Sequence, residues 1–563
     1  MSLIKFNSLQ LVTSKIINMR LIALILLIIT SALVPPATAE VAPEESVMDF
    51  SSSLQQIITK NYKQKEAAIK QLVLLDDGRV LKVLSEMMEG RLYYLKENQQ
   101  IVFIKEVNDE YELTGAISEV IIGVVNKRKL KRIKVNNKIR RLLRGEVAKL
   151  QLQSKDAGTR YKAVSEMIRN LDEISIGLLR EAEKFEKNEK VRDVLEAGLA
   201  VVDINSDSKE IRLQALSLLK SSLLPEARQA IVRLLERDDE GKYLEADYNV
   251  RKAAKSALKS MDSKIEISAF AETMFFGISL GSVLLLSAIG LAITFGVMGV
   301  INMAHGEMMM LGAYTTYIIQ LMLPDYIEYS LVIAIPAAFV VSGLFGVAIE
   351  RGVIRFLYGR PLETLLATFG ISLILQQLVR TTISAQNVSV ITPEWMSGSL
   401  QINPVLSLTY NRLYIVIFSI IVFVTLLYVL KKTILGLQVR AVSQNRAMAK
   451  AMGVRSDWVD ALTFGLGSGI AGIAGVALSQ LTNVGPNLGQ SYIIDSFMVV
   501  VFGGVGNLWG TFVGAMSLGV INKFLEPWAG AVLAKIIVLV LIILFIQKKP
   551  RGLFPQKGRV VEN

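Results

Sequence analysis

The run Ile301-Asn302-Met303-Ala304-His305-Gly306-Glu307 places a carboxylate two residues from the chain's one histidine, between two apolar stretches. A buried acid in such a setting is costly to desolvate, which marks Glu307, with His305 and Asn302, as a functional candidate. A plainer reading is a helix start at an interface, with Glu307 favouring the N-terminal dipole and Gly306 easing the turn. One histidine and no cysteine leave little room for a histidine-based metal centre or triad, and exclude disulfides, thiol redox chemistry and thiolate zinc sites.

Two further segments carry unusual chemistry. Gly503-Gly504-Val505-Gly506-Asn507 interrupts the apolar block from Tyr492 to Ile521. Non-helical backbone at membrane depth survives only inside protein or beside water, so this break is expected to face the interior and approach Asn302 and Glu307. The segment from Gly436 to Gly453 interleaves Leu437, Val439, Val442, Met448 and Met452 with Arg440, Asn445, Arg446 and Lys450, and reads as an amphipathic helix able to seat an apolar edge in a partner's groove. There is no GxxxxGK[ST] motif, so nucleotide hydrolysis has to come from another subunit.

The elements positioning these residues can be read from composition. Of 563 residues 52% are hydrophobic and 20% charged, and only 18 of 62 Lys/Arg and 13 of 50 Asp/Glu lie after residue 265. The apolar second half excludes an ordinary soluble enzyme. The net charge of +12 is dispersed through charge-mixed sequence and membrane-flanking loops, which argues against a nucleic-acid partner.

Leu413 to Leu430 is 18 residues without a charge, enough to cross most of a hydrocarbon core. Similar stretches occur at 274–298, 303–323, 330–348, 362–378 and 461–481, and splitting 492–521 at its glycines and adding 531–546 gives about nine spans. Started from outside, they place Arg351, Arg355 and Arg360, then Lys431 to Arg455, then the basic C-terminal tail on the inner side, as the distribution of Lys and Arg requires.

Lys5, Lys15 and Arg20 precede the apolar run Leu21 to Leu33 and the Ala37-Thr38-Ala39 site, the order of an export signal; cleaved or kept as an anchor, it places the chain after Glu40 outside the cytoplasm. From about 51 to 264 the chain reads as short amphipathic helices, with turn-plus-helix starts at Asp156 to Arg160, Asn188 to Arg192, Asp207 to Arg212 and Asp247 to Arg251. Their irregular spacing, roughly 20 to 40 residues, fits degenerate HEAT-like hairpins, either a platform for a partner or a spacer. A small β element is expected near Arg91 to Leu95 and Gln100 to Lys105. The expected class is therefore all-α: a signal peptide over 1–39, an exported helical domain over 40–265 and a broken-helix membrane domain over 266–563.

Gly277-Ile-Ser-Leu-Gly281 through Asn302, Ala304-His-Gly-Glu307 with Met310-Leu-Gly-Ala-Tyr314, the loop Gly436-Leu-Gln-Val-Arg440-Ala441 with Asn445, Ala449 and Gly453, and the 503–507 glycines resemble the branched-chain amino-acid type of ABC importer permease over essentially all of 270–555. Arg360-Pro-Leu-Glu-Thr-Leu-Leu-Ala-Thr-Phe-Gly370, Tyr314-Thr-Thr-Tyr317 and Gly552-Leu-Phe-Pro-Gln-Lys-Gly558 look most like its urea subgroup. Met303 stands where the wider family commonly has an aromatic residue, and Asn507 where it commonly has Ser.

The resemblance implies a non-catalytic permease in a bacterial inner membrane, its N-terminal domain periplasmic. Its implied partners are a related second permease, two cytoplasmic ATPase subunits, a periplasmic substrate-binding protein and membrane lipid. The chain would bind no cofactor, ATP being used by the ATPase subunits. Asn302, His305, Glu307, Gly503, Gly504, Gly506 and Asn507 would line the substrate path. Gly436, Arg440, Ala441, Asn445, Met448, Ala449, Met452 and Gly453 would form the ATPase-coupling loop. Branched-chain amino acids or short amides are the alternative cargo; a passive urea channel and a membrane-anchored scaffold are alternatives of other classes.

Overall fold

A computed structural model describes residues 44–555, apart from 60, 76, 108 and 109. The signal segment over 1–39 and the end of the basic tail lie outside the described residues. The chain divides into two compact units, one ending at Val202 and the other starting at Asp203.

The first unit opens with helices α1 (Glu44–Gln55), α2 (Tyr62–Leu74) and α3 (Arg79–Glu89). Gly90 ends α3 in the left-handed region at φ 76°, and strands β1 (Leu92–Leu95), β2 (Ile101–Val107), β3 (Glu110–Gly115), β4 (Ile121–Val125) and β5 (Leu130–Arg132) come next. They form an antiparallel sheet in the order β4-β3-β2-β1-β5. The chain is mostly helical, and the expected small β element is present with β1 and β2 where it was expected, enlarged by three further strands to a five-stranded sheet. Strand alternation explains the sheet's two apolar faces: Ile101 and Phe103 join Leu72, Leu84 and Leu143 in the helical core, while Val102 packs with Tyr111, Leu113 and Leu130.

Helices α4 (Asn137–Leu152), α5 (Ala157–Arg169), α6 (Glu173–Glu183) and α7 (Glu189–Asp203) complete this unit, and α8 (Lys209–Leu219) and α9 (Pro225–Leu234) open the second. The expected turns share a local construction. Asp156, Asn188, Ser208 and Asp247 each cap a helix by accepting a backbone N–H, and each receives a side-chain acceptor for its own N–H from two residues earlier. Four residues after three of these caps, Arg160, Arg212 and Arg251 each donate to the two carbonyls preceding the cap.

Helix α10 (Tyr248–Met298) runs unbroken through residue 265 into the apolar half. It is followed by α11 (His305–Met322), α12 (Ile327–Gly352), α13 (Pro361–Thr382), a short hairpin of β6 (Ser399–Gln401) and β7 (Ser407–Thr409), and α14 (Tyr410–Lys432). Then come α15 (Ile434–Gln444), α16 (Arg446–Ala451), α17 (Ser456–Ser479), α18 (Leu488–Gly503) and α19 (Leu508–Lys548). Among the described residues six helical segments are long and apolar enough to span a membrane, against about nine expected crossings. The difference lies in α11, in the 16-residue α18, and in α19, in which two expected segments follow one another across a non-helical kink at Gly530.

The packing partners repeat within this half. α10, α11 and α12 relate to one another as α17, α18 and α19 do: α12 packs on α17 as α19 packs on α10, and α11 on α17 as α18 on α10. Like helices meet at glycines, Gly290 on Gly467 and Gly306 on Gly489, where an added Cβ would lie within 2.7 Å of the opposite backbone.

Candidate functional site

The site begins where α10 ends. Gly299, at φ 68°, turns the chain, and residues 299–304 run back beside α10 without helical structure. His305 then hydrogen-bonds through Nε2 to the carbonyl of Ser287 at 2.9 Å. Ser287 lies eleven residues before Met298, about 16 Å back along the helix. α11 therefore starts partway along α10 and not at its end. A carbonyl can only accept, so Nε2 carries the proton and Nδ1 of the neutral ring is an acceptor.

Glu307, in the first turn of α11 and 1% exposed, accepts at Oε1 from Ser372 Oγ at 2.9 Å and from Gln376 Nε2 at 2.8 Å. Thr368 Oγ1 accepts the Met303 N–H at 3.1 Å, and Asn302 Oδ1 accepts that of Ala304. Thr364, Thr368, Ser372 and Gln376 thus form a buried stripe at four-residue spacing on α13. One turn further, Arg380 donates to Asn487 Oδ1, at the start of α18, at 2.7 Å. Three buried atoms of the cluster have no hydrogen-bond partner: Glu307 Oε2, Asn302 Nδ2 and His305 Nδ1. Together they offer two acceptors and one donor.

Sequence reasoning misses the stripe because Pro361–Thr382 reads as a span on hydropathy; its signal is a hydroxyl or amide at every fourth position. The opposite side of α13 exposes Leu362, Leu366, Phe369 and Ile374, and α11 is its principal neighbour.

Asn302, His305 and Glu307 come together, but Gly503, Gly504, Gly506 and Asn507 do not join them. Gly306 lies on Gly489 at the start of α18, whereas the glycine break is at its other end, fourteen residues or about 21 Å away along the helix. There Gly506 packs on Gly296, and Asn507 caps α19 and donates to the Phe554 carbonyl. The expected approach is corrected for His305 and Glu307, which sit at the opposite end of α18 from the break: apolar flanks locate a break along the chain, not its depth.

The Gly436 to Gly453 segment is two helices. Arg440 bonds the Leu430 carbonyl, Gly436 lies against that same residue's backbone, Asn445 caps α16, and Gly453 turns the chain at φ 85°. Val439, Val442 and Ala449 pack inward with Val459, beside Ala441, while Leu437, Met448 and Met452 are exposed. Asp495 on α18 pairs with Lys535 on α19 at 2.9 Å. Among the described residues no cluster of His, Asp and Glu could hold a metal ion.

Residues 273–546 match the family model described as the branched-chain amino acid transport system permease component. The chain is 30% identical over 293 residues to the high-affinity branched-chain amino acid transport system permease protein LivH of Salmonella typhimurium, covering 50% of this chain and 95% of that one. It is 29% identical to BraD of Pseudomonas aeruginosa, covering 51% and 96%, and 29% identical over 140 residues to the ribose import permease protein RbsC of Escherichia coli, covering 23% and 44%. No solved structure matches. The chain belongs to the branched-chain amino acid transport permease family, as a membrane-spanning, non-enzymatic transporter subunit.

Proposed function

We propose that this chain is one permease subunit of an ATP-driven importer whose cargo is a small neutral amide, urea in the first place. The observation that carries this reading is the uncharged stripe Thr364-Thr368-Ser372-Gln376 facing Glu307, with an unpaired donor on Asn302 and unpaired acceptors on Glu307 and His305. A solute such as urea brings N–H donors and a carbonyl acceptor and needs no fixed counter-charge. Glu307 organises the helix start and orders the path, and does not hold the cargo as an ion.

The partners would be a related second permease, two cytoplasmic ATPase subunits reached through Leu437, Met448 and Met452, and a periplasmic binding protein. The HEAT-like N-terminal helices would face the periplasm.

A second reading, branched-chain amino acid import, is favoured by the names of the relatives and by the meeting of two helix N-termini at Gly306 and Gly489, an arrangement that suits a carboxylate. Uptake of labelled urea and labelled leucine by cells with and without the gene separates the two. Gene-dependent urea uptake unaffected by excess leucine supports the first; gene-dependent leucine uptake alone overturns it.

A further inference from the structure

A polar cavity of about 270 Å³ lies where the end of α12, the turn after it, α16 and the start of α17 converge. Arg446, the first residue of α16, projects into it. Its guanidinium pairs with Asp460 on α17 and lies 3.8 Å from the Tyr358 ring centroid in the turn after α12. Glu350, on α12, lines the same cavity. Both carboxylates are buried, Glu350 at 2% exposure and Asp460 at 3%.

The two acids are not equally served. Asp460 has Arg446 on Oδ2 and an unpartnered Oδ1, whereas the nearest ion-pair partner of Glu350 among the described residues is Arg351 at 3.9 Å, beyond hydrogen-bond length, and its Oε2 is without a hydrogen-bond partner. Arg351 is turned onto the Trp458 ring at 4.1 Å. A buried carboxylate without a donor is strongly disfavoured, and Arg446 Nη1 is a donor without an acceptor in the same cavity. Arg446 therefore shares a cavity, also lined by Arg351 and Arg355, with two buried carboxylates carried by different helices, Asp460 engaged and Glu350 waiting.

Both helices grip α11. On α17, Gly472 and Gly475 sit against the backbone of Gly312 and Met309; on α12, Ser342 Oγ donates to the Met308 carbonyl at 3.0 Å. We propose that Arg446 is the coupling residue of the permease: it exchanges between Asp460 and Glu350 as the loop moves, shifting α12 against α17 and so moving the α11 start that carries Glu307. This rests on the reading that the 434–453 loop meets ATPase subunits. Two discrete ion-pair arrangements give a bistable joint rather than a passive tether.

The test uses the full importer with its ATPase subunits in liposomes, with labelled urea and labelled leucine as probes. Arg446→Ala is expected to keep the ATPase subunits bound and ATP hydrolysis running while uptake per ATP falls at least tenfold, with partial recovery in Arg446→Lys. Cysteines at Lys450 and Asp457, whose side-chain ends pair at 3.7 Å, joined by a short bifunctional thiol crosslinker, report how close α16 stays to α17. Glu350→Gln removes the waiting partner and should raise their crosslinking yield during turnover; Asp460→Asn removes the engaged one and should lower it. Wild-type uptake per ATP in Arg446→Ala, or the same direction of change in both neutral variants, overturns the exchange. A parent complex that hydrolyses ATP but carries neither solute overturns the importer reading instead.

Discussion

Glu307 and Gln376 are hydrogen-bonded at 2.8 Å, tying the first turn of α11 to a helix that otherwise turns an apolar face outward. In Glu307→Gln the amide still offers an acceptor to Ser372 and Gln376, so transport should stay within about threefold of the parent. In Glu307→Leu the Ser372 hydroxyl loses its acceptor and Gln376 keeps only Ser372 Oγ at 3.2 Å, at a cost of about 1–3 kcal/mol for a buried group left unpaired, and uptake should fall at least tenfold. Radiolabelled uptake normalised to membrane-inserted protein checks both; full activity of the Leu variant removes Glu307 from the path.

The geometry also dictates which residues can be crosslinked in a chain that has no cysteine of its own. Met303 N and Thr368 Oγ1 are 3.1 Å apart, which brings the Cα atoms of residues 303 and 368 within the roughly 7 Å that a disulfide allows. Cysteines at 303 and 368 should oxidise to an intramolecular bridge, detected by mass spectrometry, whereas cysteines at 302 and 507 should remain free thiols. A 302–507 bridge would mean that the glycine break does approach the start of α11.

Glycine pairs set how closely the repeated helices approach. A Cβ on Gly489 would lie 2.3 Å from the carbonyl carbon and oxygen of Gly306, atoms of backbone that cannot rotate away. Gly489→Ala should therefore destabilise by about 1–3 kcal/mol, in the range of overpacked cores. Thermal unfolding in detergent should show a lower midpoint for this variant and little change for Gly370→Ala, where an added Cβ meets no atom within 4 Å.

How much of the site is legible in the sequence depends on how local each signal is. Glu307 and His305 stand out because an acid beside the lone histidine is conspicuous in apolar sequence, and the loop around Met448 because charges and apolar residues alternate at helical spacing. Gln376 and Thr368 do not stand out: uncharged polar residues barely lower the hydropathy of a span, and their role appears only when α11 starts partway along α10. β4 and β5 are hidden for another reason. Gly123 interrupts one and basic residues occupy the other, so neither shows a clean alternation, and pairing with β3 and β1 supplies what local preference lacks.

The N-terminal unit carries a pH-dependent element. Glu186, its side chain 6% exposed, accepts from Arg160 at 2.7 and 2.9 Å, and this side-chain hydrogen bonding outweighs burial and holds its carboxyl below the ordinary value of 4.5. A lowered carboxyl pKa stabilises the fold fully above the unfolded value and loses that contribution as pH falls through the folded one. Hydrogen-exchange protection of α5 and α6 in the intact chain, with rates corrected for the intrinsic pH dependence of amide exchange, should fall below about pH 4.5 relative to pH 7, and Glu186→Gln should flatten that dependence. An unchanged pH profile in the variant would assign the effect to other carboxylates.

Leu437, Met448 and Met452 remain exposed while Val439, Val442 and Ala449 of the same two helices are buried, so the loop has an inner face already satisfied and an outer edge still open. An apolar edge of this kind gains most when a partner's groove removes it from water, and a carboxylate placed there would have to be desolvated without a partner. Met448→Asp with Met452→Asp should leave insertion and folding unchanged, because both side chains already face solvent, yet abolish ATP-dependent uptake and copurification of the ATPase subunits. Copurification and uptake at parent levels would show that the outer edge is not the docking surface.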